Sequence, residues 1–171
     1  FGNGIQHTVP ARSGRLHVLR LINDLLKQPR LKQTPITDLS TLIKGGLHSI
    51  KKRSLIFIVS DFISVSGWER SLTLLSQKHE VIAIQLFDPR EVSLPDVGPL
   101  VLEDAETGEQ IYVDTHDKKF RERFFLAAKK REKDLKDSFK RAGVDVLSLS
   151  TEQDLIQAIA NFVMARRQRK K

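Results

Sequence analysis

Two runs of residues without charge constrain the fold of this chain more than any other feature of its sequence. Residues 55–59 (LIFIV) and 81–86 (VIAIQL) are each followed by an acidic residue, Asp61 or Asp88. Such apolar runs are typical of strands buried on both faces of a parallel sheet. The segment between them carries Trp68, Leu72 and Leu75 at helical spacing. Strand, helix and strand in this order predict a βαβ unit in a single α/β domain with a parallel sheet under helices.

The remaining elements follow from periodicity and punctuation. Apolar steps of three and four predict amphipathic helices over 15–27, 38–50 and 117–142, and a last helix that buries Leu155, Ile159 and Phe162. Residues 5–9 and 144–149 are predicted strands, and residues 28–36 a polar loop. Residues 66–69 have the form of a capping box that starts with Ser66. Residues 100–102 and 110–113 flank Glu106-Thr107-Gly108, which predicts a β-hairpin inserted into the alternating pattern.

Charge is concentrated at one end of the chain. The net charge is +8, and the basic tail 166–171 carries five positive charges, which leaves +3 for the rest. A solvated helix end whose cations suit the helix dipole explains such a tail more simply than a phosphate-binding site does. Aromatic residues make up only 6% of the chain, and no row of them alternates with Lys or Arg. We therefore expect no specific nucleic-acid binding.

Several classes of site are missing from the sequence. The chain has no cysteine, which excludes disulfides, thiolate metal sites and cysteine nucleophiles. It contains no GxGxxG, GxxxxGK[ST], GxSxG or HExxH motif. No apolar stretch is long enough to span a membrane, and the first residues do not resemble a signal peptide. We expect a cytoplasmic protein, and because the chain begins with Phe1 we expect it to be part of something longer.

Oxygen-bearing side chains stand where functional groups of α/β proteins are found. Asp61 and Asp88 follow the two predicted strands, and ligands of open α/β sheets bind beyond the carboxyl ends of strands. Thr37 and Asp38 begin the preceding helix and offer oxygens that suit Mg²⁺. Each of these residues has a simpler interpretation: Asp61 caps a turn, and Thr37 or Asp38 caps the helix.

Five segments in a fixed order carry a resemblance to a known family. They are residues 37–39 (TDL), 55–62 (LIFIVSDF), 87–91 (FDPRE), 103–109 (EDAETGE) and 113–115 (VDT). Together they resemble the later part of the bacterial family called domain of unknown function fifty-eight, whose members contain a von Willebrand factor A-like domain. The resemblance runs from about residue 10 to 169.

The resemblance implies a Rossmann-like, von Willebrand factor A-like sheet with flanking helices, a β-hairpin insertion and a metal-ion-dependent adhesion site. Its positions assign Thr37 and Asp61 as metal ligands, while the Asp-x-Ser-x-Ser motif of such sites is absent. The chain is then a domain fragment, truncated at the N-terminus, with the first two strands and first helix missing. Two ligands are few for an ion that takes about six oxygens, so we expect Mg²⁺ only in the complete domain and none on this fragment. The missing central strand leaves an apolar sheet edge, which predicts self-association.

Two function hypotheses follow. The first is a non-enzymatic protein-interaction module, whose companion by resemblance is a MoxR-type AAA+ ATPase. The alternative is a Mg²⁺-dependent phosphoryl-transfer or hydrolytic enzyme that uses Asp61 and Asp88 as paired carboxylates. The enzyme hypothesis lacks a phosphate cradle and an identifiable nucleophile.

Overall fold

A computed structural model describes residues 5, 7–27, 37–103 and 108–169. In these ranges three parallel strands form a sheet in the order β1-β2-β5, with β1 at Leu55–Ser60, β2 at Glu80–Phe87 and β5 at Asp145–Ser150. Ile58 of β1 lies beside Ala83 of β2, and Ala83 lies beside Val146 of β5. The predicted βαβ unit is confirmed, and the chain is a mixed α/β fold with a parallel sheet.

Three helices cover one face of this sheet. They are α2 (Leu39–Ser49), α3 (Trp68–Lys78) and α4 (Lys118–Ala142). Their apolar sides meet Ile58, Val81 and Ala83 in a single core cluster. The predicted inward positions of α3 are confirmed, since Trp68, Leu72 and Leu75 are all buried. The long helix was predicted within one residue, because Asp117 caps its start and Gly143, in the left-handed region, ends it.

The other face of the sheet is only partly covered, and here the prediction that β1 is buried on both faces is wrong. Leu55, Phe57 and Val59 point away from the core cluster and are 49%, 55% and 58% exposed. β1 is also the edge strand, paired only with β2 in the described part of the chain. An uninterrupted apolar run thus forms a strand with one buried face, and the second apolar face has no cover among the described residues.

Two amphipathic helices contribute less to the core than their sequences predict. Helix α1 (Arg15–Leu26) forms as predicted but has no buried residue, and Leu16 is 84% exposed. Helix α5 (Leu155–Arg169) lies against β5, yet Leu155 and Ile159 are about half exposed and Phe162 is half-buried. The prediction that these residues of the last helix are buried is therefore wrong for Leu155 and Ile159.

Part of the basic tail is paired with acidic residues, unlike a fully solvated helix end. Arg166 of α5 bonds Asp145 at the start of β5 and Glu80 at the start of β2, and Arg169 lies 3.4 Å from Asp145. These pairs join the last helix to the amino ends of two strands. Arg167 and Gln168 are exposed, and residues 170–171 lie outside the described residues.

The predicted hairpin is confirmed as a two-stranded antiparallel sheet of β3 (Pro99–Glu103) and β4 (Gln110–Asp114). Its base is closed by Thr115, which is fully buried. The Thr115 hydroxyl donates to the Gly98 carbonyl oxygen over 2.8 Å and accepts from the Val97 N–H over 3.0 Å. The predicted turn residues Glu106 and Thr107 lie outside the described residues.

Other differences are local. Ile5 and residues 7–9 have no strand geometry, so the predicted strand over 5–9 does not form there, and the predicted loop 28–36 lies outside the described residues. The N-cap of α3 is Gly67 and not the predicted Ser66. Gly67 adopts a φ of 106°, which a serine would not tolerate, and its N–H donates to the Glu69 carboxylate.

Within the described residues, no helix is both long and apolar enough to cross a membrane.

Candidate functional site

The candidate site lies at the carboxyl ends of β1 and β2. The two strands are neighbours and parallel, so the turns that follow them, with Asp61 and Asp88, open at the same edge of the sheet. The start of α2 reaches the same edge through the contact of Thr37 described below. The structure thus brings Asp61, Asp88 and Thr37 to the same edge of the sheet, as expected for an open α/β fold.

Asp61 organises the turn after β1. Its Oδ1 accepts a hydrogen bond from the Ile63 N–H at 3.0 Å and one from the Ser60 hydroxyl at 3.3 Å. The side chain is otherwise exposed. Asp61 therefore performs the turn-capping role considered from the sequence, and it does so with one of its two carboxylate oxygens.

Phe62 is the one non-glycine residue with a left-handed backbone in the described part of the chain, with φ of 59°. A buried aromatic residue rarely adopts this conformation. The ring is held by an edge-to-face contact with Phe139 at 4.9 Å between centroids and by Trp68 at 5.7 Å. The packing of this ring stabilises a strained backbone directly beside Asp61.

Ser64 connects this turn to the start of α2. Its hydroxyl donates to the Thr37 carbonyl oxygen over 2.8 Å and accepts from the Leu39 N–H over 3.1 Å, and the Val65 N–H also donates to the Thr37 carbonyl at 3.2 Å. Two hydrogen bonds therefore join the turn that carries Asp61 to Thr37, the residue proposed as its co-ligand, and a third joins the turn to Leu39.

Asp38 is the cap of α2. Its carboxylate accepts from the Ser40 and Thr41 N–H groups and, at 2.6 Å, from the Thr41 hydroxyl. The hydrogen bond from the Thr41 side chain is the main reason that the pKa of Asp38 lies below its ordinary value. The helix-cap interpretation is thus confirmed for Asp38.

Acidic groups gather beyond β2. Asp88 accepts from the Arg90 N–H at 2.8 Å and so caps the short 3₁₀ helix Pro89–Glu91. Burial, and then the charges of Asp61 and Asp88, raise the pKa of Glu91 above its ordinary value. Three carboxylates thus share one electrostatic neighbourhood, with Arg131 of α4 as an opposing charge.

A cavity of about 500 Å³ lies between this edge and α4. Its apolar wall includes Phe62, Phe87 and Leu135, and its rim carries Asp61 and Glu91 opposite basic residues of α4. Two of those basic residues, Lys129 and Lys136, pair with Glu132, so part of the rim charge is neutralised locally.

The described residues do not make a complete site for a divalent ion. Asp61 uses one oxygen for its turn, and the hydroxyls of Ser60 and Ser64 are already engaged in hydrogen bonds within the loop. In the described ranges, no three His, Asp or Glu side chains are grouped as metal ligands. The oxygen atoms that remain available among these residues are therefore fewer than the six or so that Mg²⁺ takes as ligands.

The sequence did not indicate that four further residues lie at this site: Glu91, Arg131, Phe62 and Ser64. Glu91 and Phe62 lie within segments that carried the resemblance, but no residue pattern gave them a role. Arg131 belongs to α4 and lies more than 40 residues after Asp88 in the sequence. No local signal indicates that this part of α4 lies beside the ends of the strands.

Comparison with known proteins supplies the family. Residues 1–134 match the family described as "Protein of unknown function DUF58". The chain is 38% identical over 159 residues to an uncharacterized protein of Mycobacterium avium, covering 93% of this chain and 94% of that protein. It is 35% identical over 168 residues to uncharacterized proteins of Mycobacterium bovis and Mycobacterium tuberculosis, covering 98% of this chain. The chain spans about half the length of these last two relatives (53%).

One solved structure is similar in outline. It is the conserved hypothetical protein BatB from Bacteroides thetaiotaomicron, with a TM-score of 0.44 and 11% sequence identity. The match covers 90% of this chain and 70% of that one.

Proposed function

The chain belongs to the DUF58 family, and we propose that it is a protein-interaction module rather than an enzyme. The observation that carries this proposal is the uncovered side of the sheet, where Leu55, Phe57 and Val59 are each about half exposed on an edge strand. Contiguous exposed apolar residues on a folded domain mark sites of protein contact. An open strand edge adds unpaired backbone groups that a partner can bond.

The finer parts of the proposal rest on resemblance. The module is of von Willebrand factor A type and cytoplasmic, and its companion is a MoxR-type AAA+ ATPase. Thr37 and Asp61 contribute to a metal-dependent contact that segments outside this chain complete. The hydrogen bonds that join the Asp61 turn to Thr37 support this pairing, because they hold both residues at one edge.

Binding to the ATPase tests the proposed function. The chain is immobilised, and capture of a purified MoxR-type ATPase from the same organism is measured by interferometry. Phe57→Lys places a charge on the uncovered side and is expected to weaken capture about tenfold or more. Leu126→Lys is the matched control, because Leu126 is 64% exposed on α4, on the other side of the sheet. Absence of capture by the unaltered chain, or equal capture by both variants, would contradict the proposal.

The metal contribution is tested separately. Calorimetric titration with Mg²⁺ compares this chain with a longer protein that includes the preceding segment, each with and without Asp61→Ala. We expect binding in the longer protein alone, abolished by the substitution. Binding that survives Asp61→Ala would remove Asp61 from the ligand set.

A second candidate, a Mg²⁺-dependent phosphoryl-transfer or hydrolytic enzyme, is favoured by one observation. The charges of Asp61 and Asp88 both act on Glu91, so the two carboxylates share a neighbourhood. A panel of phosphate esters tests it: turnover that disappears in the double variant Asp61→Asn, Asp88→Asn would support an enzyme. Asn retains the oxygen that accepts the turn hydrogen bonds, so the variant preserves both turns.

A further inference from the structure

The cavity beside α4 has a floor that a packed core does not need. On β2, Gln85 and Phe87 lie on the same face as Val81 and Ala83 of the core cluster, because side chains alternate along a strand. Ser148 of β5 is the register partner of Gln85, and its hydroxyl donates to Gln85 Oε1 over 3.1 Å. The core-facing side of the sheet therefore changes from apolar to polar where the cavity of about 500 Å³ lies.

The position of the cavity does not depend on the open edge of β1. The sheet order is β1-β2-β5, so the strands that form the floor lie on the opposite side of β1 from that edge. The roof is α4, through Ala128 and Leu135. Sites for small molecules are concave, have volumes of roughly 300–1,000 Å³, and combine an apolar lining with a few polar groups. The cavity meets this description.

Opposite charges face each other across the cavity without forming an ion pair. Glu91 lines it on the strand side and Arg131 on the α4 side, and the two charges act on each other. A hydrogen bond from the Asp88 backbone holds the Glu91 carboxylate, and Asp61 adds a second negative charge on the same side. In the part of the chain that the structure describes, neither Glu91 nor Arg131 has a direct ion-pair partner. Both charges are therefore available to a ligand that lies between them.

The other basic residues of the α4 wall are already paired. Lys129 lies 2.9 Å and Lys136 lies 2.6 Å from the Glu132 carboxylate. Arg131 is thus the cation of this wall that a ligand anion can bind, and a guanidinium takes a carboxylate through two parallel hydrogen bonds. On the floor, the Gln85 amide accepts one hydrogen bond and, among the described contacts, keeps both of its N–H donors for a ligand oxygen.

We infer that this cavity binds a small zwitterion with an apolar body, of the class of free α-amino acids with apolar side chains. The ammonium group of the ligand lies against Glu91 and Asp61, and its carboxylate lies against Arg131. Its apolar side chain lies against Phe87 and Leu135. The inference goes beyond the proposed function and does not depend on it.

Ligands with a single charge fit less well. A lone cation gains the attraction of Glu91 and Asp61 but leaves Arg131 unpaired and repels it. A lone anion pairs with Arg131 but faces two carboxylates. An uncharged ligand leaves both walls without a partner, and polar groups that stay unpaired on desolvation reduce affinity. The zwitterion is the class that satisfies both walls together.

Four related probes test the ligand class by calorimetry. Phenylalanine carries both charges, 2-phenylethylamine lacks the carboxylate, and 3-phenylpropionate lacks the ammonium group. N-acetylphenylalanine amide lacks both charges and represents a residue within a protein chain. We expect phenylalanine to bind about tenfold more tightly than each of the other three. Equal binding of any of them, or no binding of phenylalanine, would overturn the inference.

Two charge variants assign the walls. Arg131→Gln should weaken the binding of phenylalanine about tenfold and leave that of 2-phenylethylamine unchanged, because this probe has no carboxylate. Glu91→Gln should weaken phenylalanine to a similar extent without weakening 3-phenylpropionate, which has no ammonium group. Lys130→Gln and Glu122→Gln are the matched controls, since both residues are exposed on α4 and neither lines the cavity. A variant that weakens charged and half-charged probes alike would contradict the zwitterion.

Filling the cavity tests the site itself. Ala128→Phe places a ring in the roof and should abolish the binding of phenylalanine. Ala127→Phe adds the same ring to an exposed neighbour and should bind like the unaltered chain. Circular dichroism and Trp68 fluorescence verify that each variant is folded, and the charge variants carry the test if Ala128→Phe does not fold. Full binding by folded Ala128→Phe would overturn the site. None of these measurements involves the ATPase, so their failure and the failure of the proposed function are separate results.

Discussion

Arg166 Nε donates to Asp145 Oδ2 over 2.7 Å, and the same guanidinium donates through Nη2 to Glu80. Asp145 and Glu80 begin two adjacent parallel strands, so one side chain of the last helix bridges their amino ends. The side chain of Arg166 is only 17% exposed, which makes this pairing stronger than an ordinary surface contact.

Replacing Arg166 by Met should lower the free energy of unfolding by about 1–2 kcal/mol, because two carboxylates lose their shared cation. Urea unfolding followed by Trp68 fluorescence measures the change. Arg167→Met is the control, since Arg167 is exposed, and should leave the midpoint nearly unchanged. Equal midpoints for the two variants would show that Arg166 does not anchor the helix.

Replacing His79 by Leu should stabilise the protein. His79 is 4% exposed, and neither ring nitrogen has a hydrogen-bond partner among the described residues. Removing unsatisfied buried polar atoms should raise the free energy of unfolding by about 1 kcal/mol. The exposed His48 provides the control, and His48→Leu should change stability little. A lower unfolding midpoint for His79→Leu would contradict the prediction and indicate a partner for the ring.

Backbone strain at Phe62 predicts an unusual order of variants. Phe62→Ala should cost about 3 kcal/mol through loss of the ring contacts. Phe62→Gly should cost no more than Phe62→Ala, because glycine adopts the positive φ without strain. At Phe139, in the interior of α4, glycine should be worse than alanine by about 1 kcal/mol. Chemical denaturation of the four variants measures their free energies of unfolding. If glycine is less stable than alanine at Phe62 as well as at Phe139, backbone strain at Phe62 is contradicted.

Glu91 gives a prediction about pH. Burial and the neighbouring Asp61 and Asp88 raise the pKa of Glu91 above its ordinary value of 4.5. A carboxyl with a raised pKa in the folded state contributes stability below its unfolded pKa, and this contribution is lost as the pH rises through the folded pKa. Glu91→Gln should therefore increase stability at neutral pH and flatten the change above about pH 4.5, as measured by thermal unfolding across pH. An unchanged pH profile would contradict the prediction.

The sequence predicted the elements that carry their own local signals. The long helix α4 is bounded by Asp117 and Gly143, a side-chain cap and a left-handed residue, and both are recognisable without a structure. The βαβ order of β1, α3 and β2 follows from apolar runs and helical spacing in the same way. These features depend on residues close together in the chain, so the sequence alone suffices.

Burial was harder to predict, because it depends on which layers are present. Phe57 and Leu16 belong to patterns that suit a core, yet both are exposed, since no described element covers them. A pattern shows which face of a strand or helix can be buried, but not whether another layer meets it. The same reasoning explains why the contribution of Arg131 to the candidate site was not foreseen, because it comes from a distant helix.

Closure of the hairpin at Thr115 separates the hairpin from the sheet. The hydrogen bonds of Thr115 to Val97 and Gly98 join the residue just after β4 to the two residues just before β3. What lies beyond that junction can be lengthened, shortened or exchanged without changing the path of the chain on either side. The hairpin can therefore change in sequence or length while the sheet and its edge stay as they are.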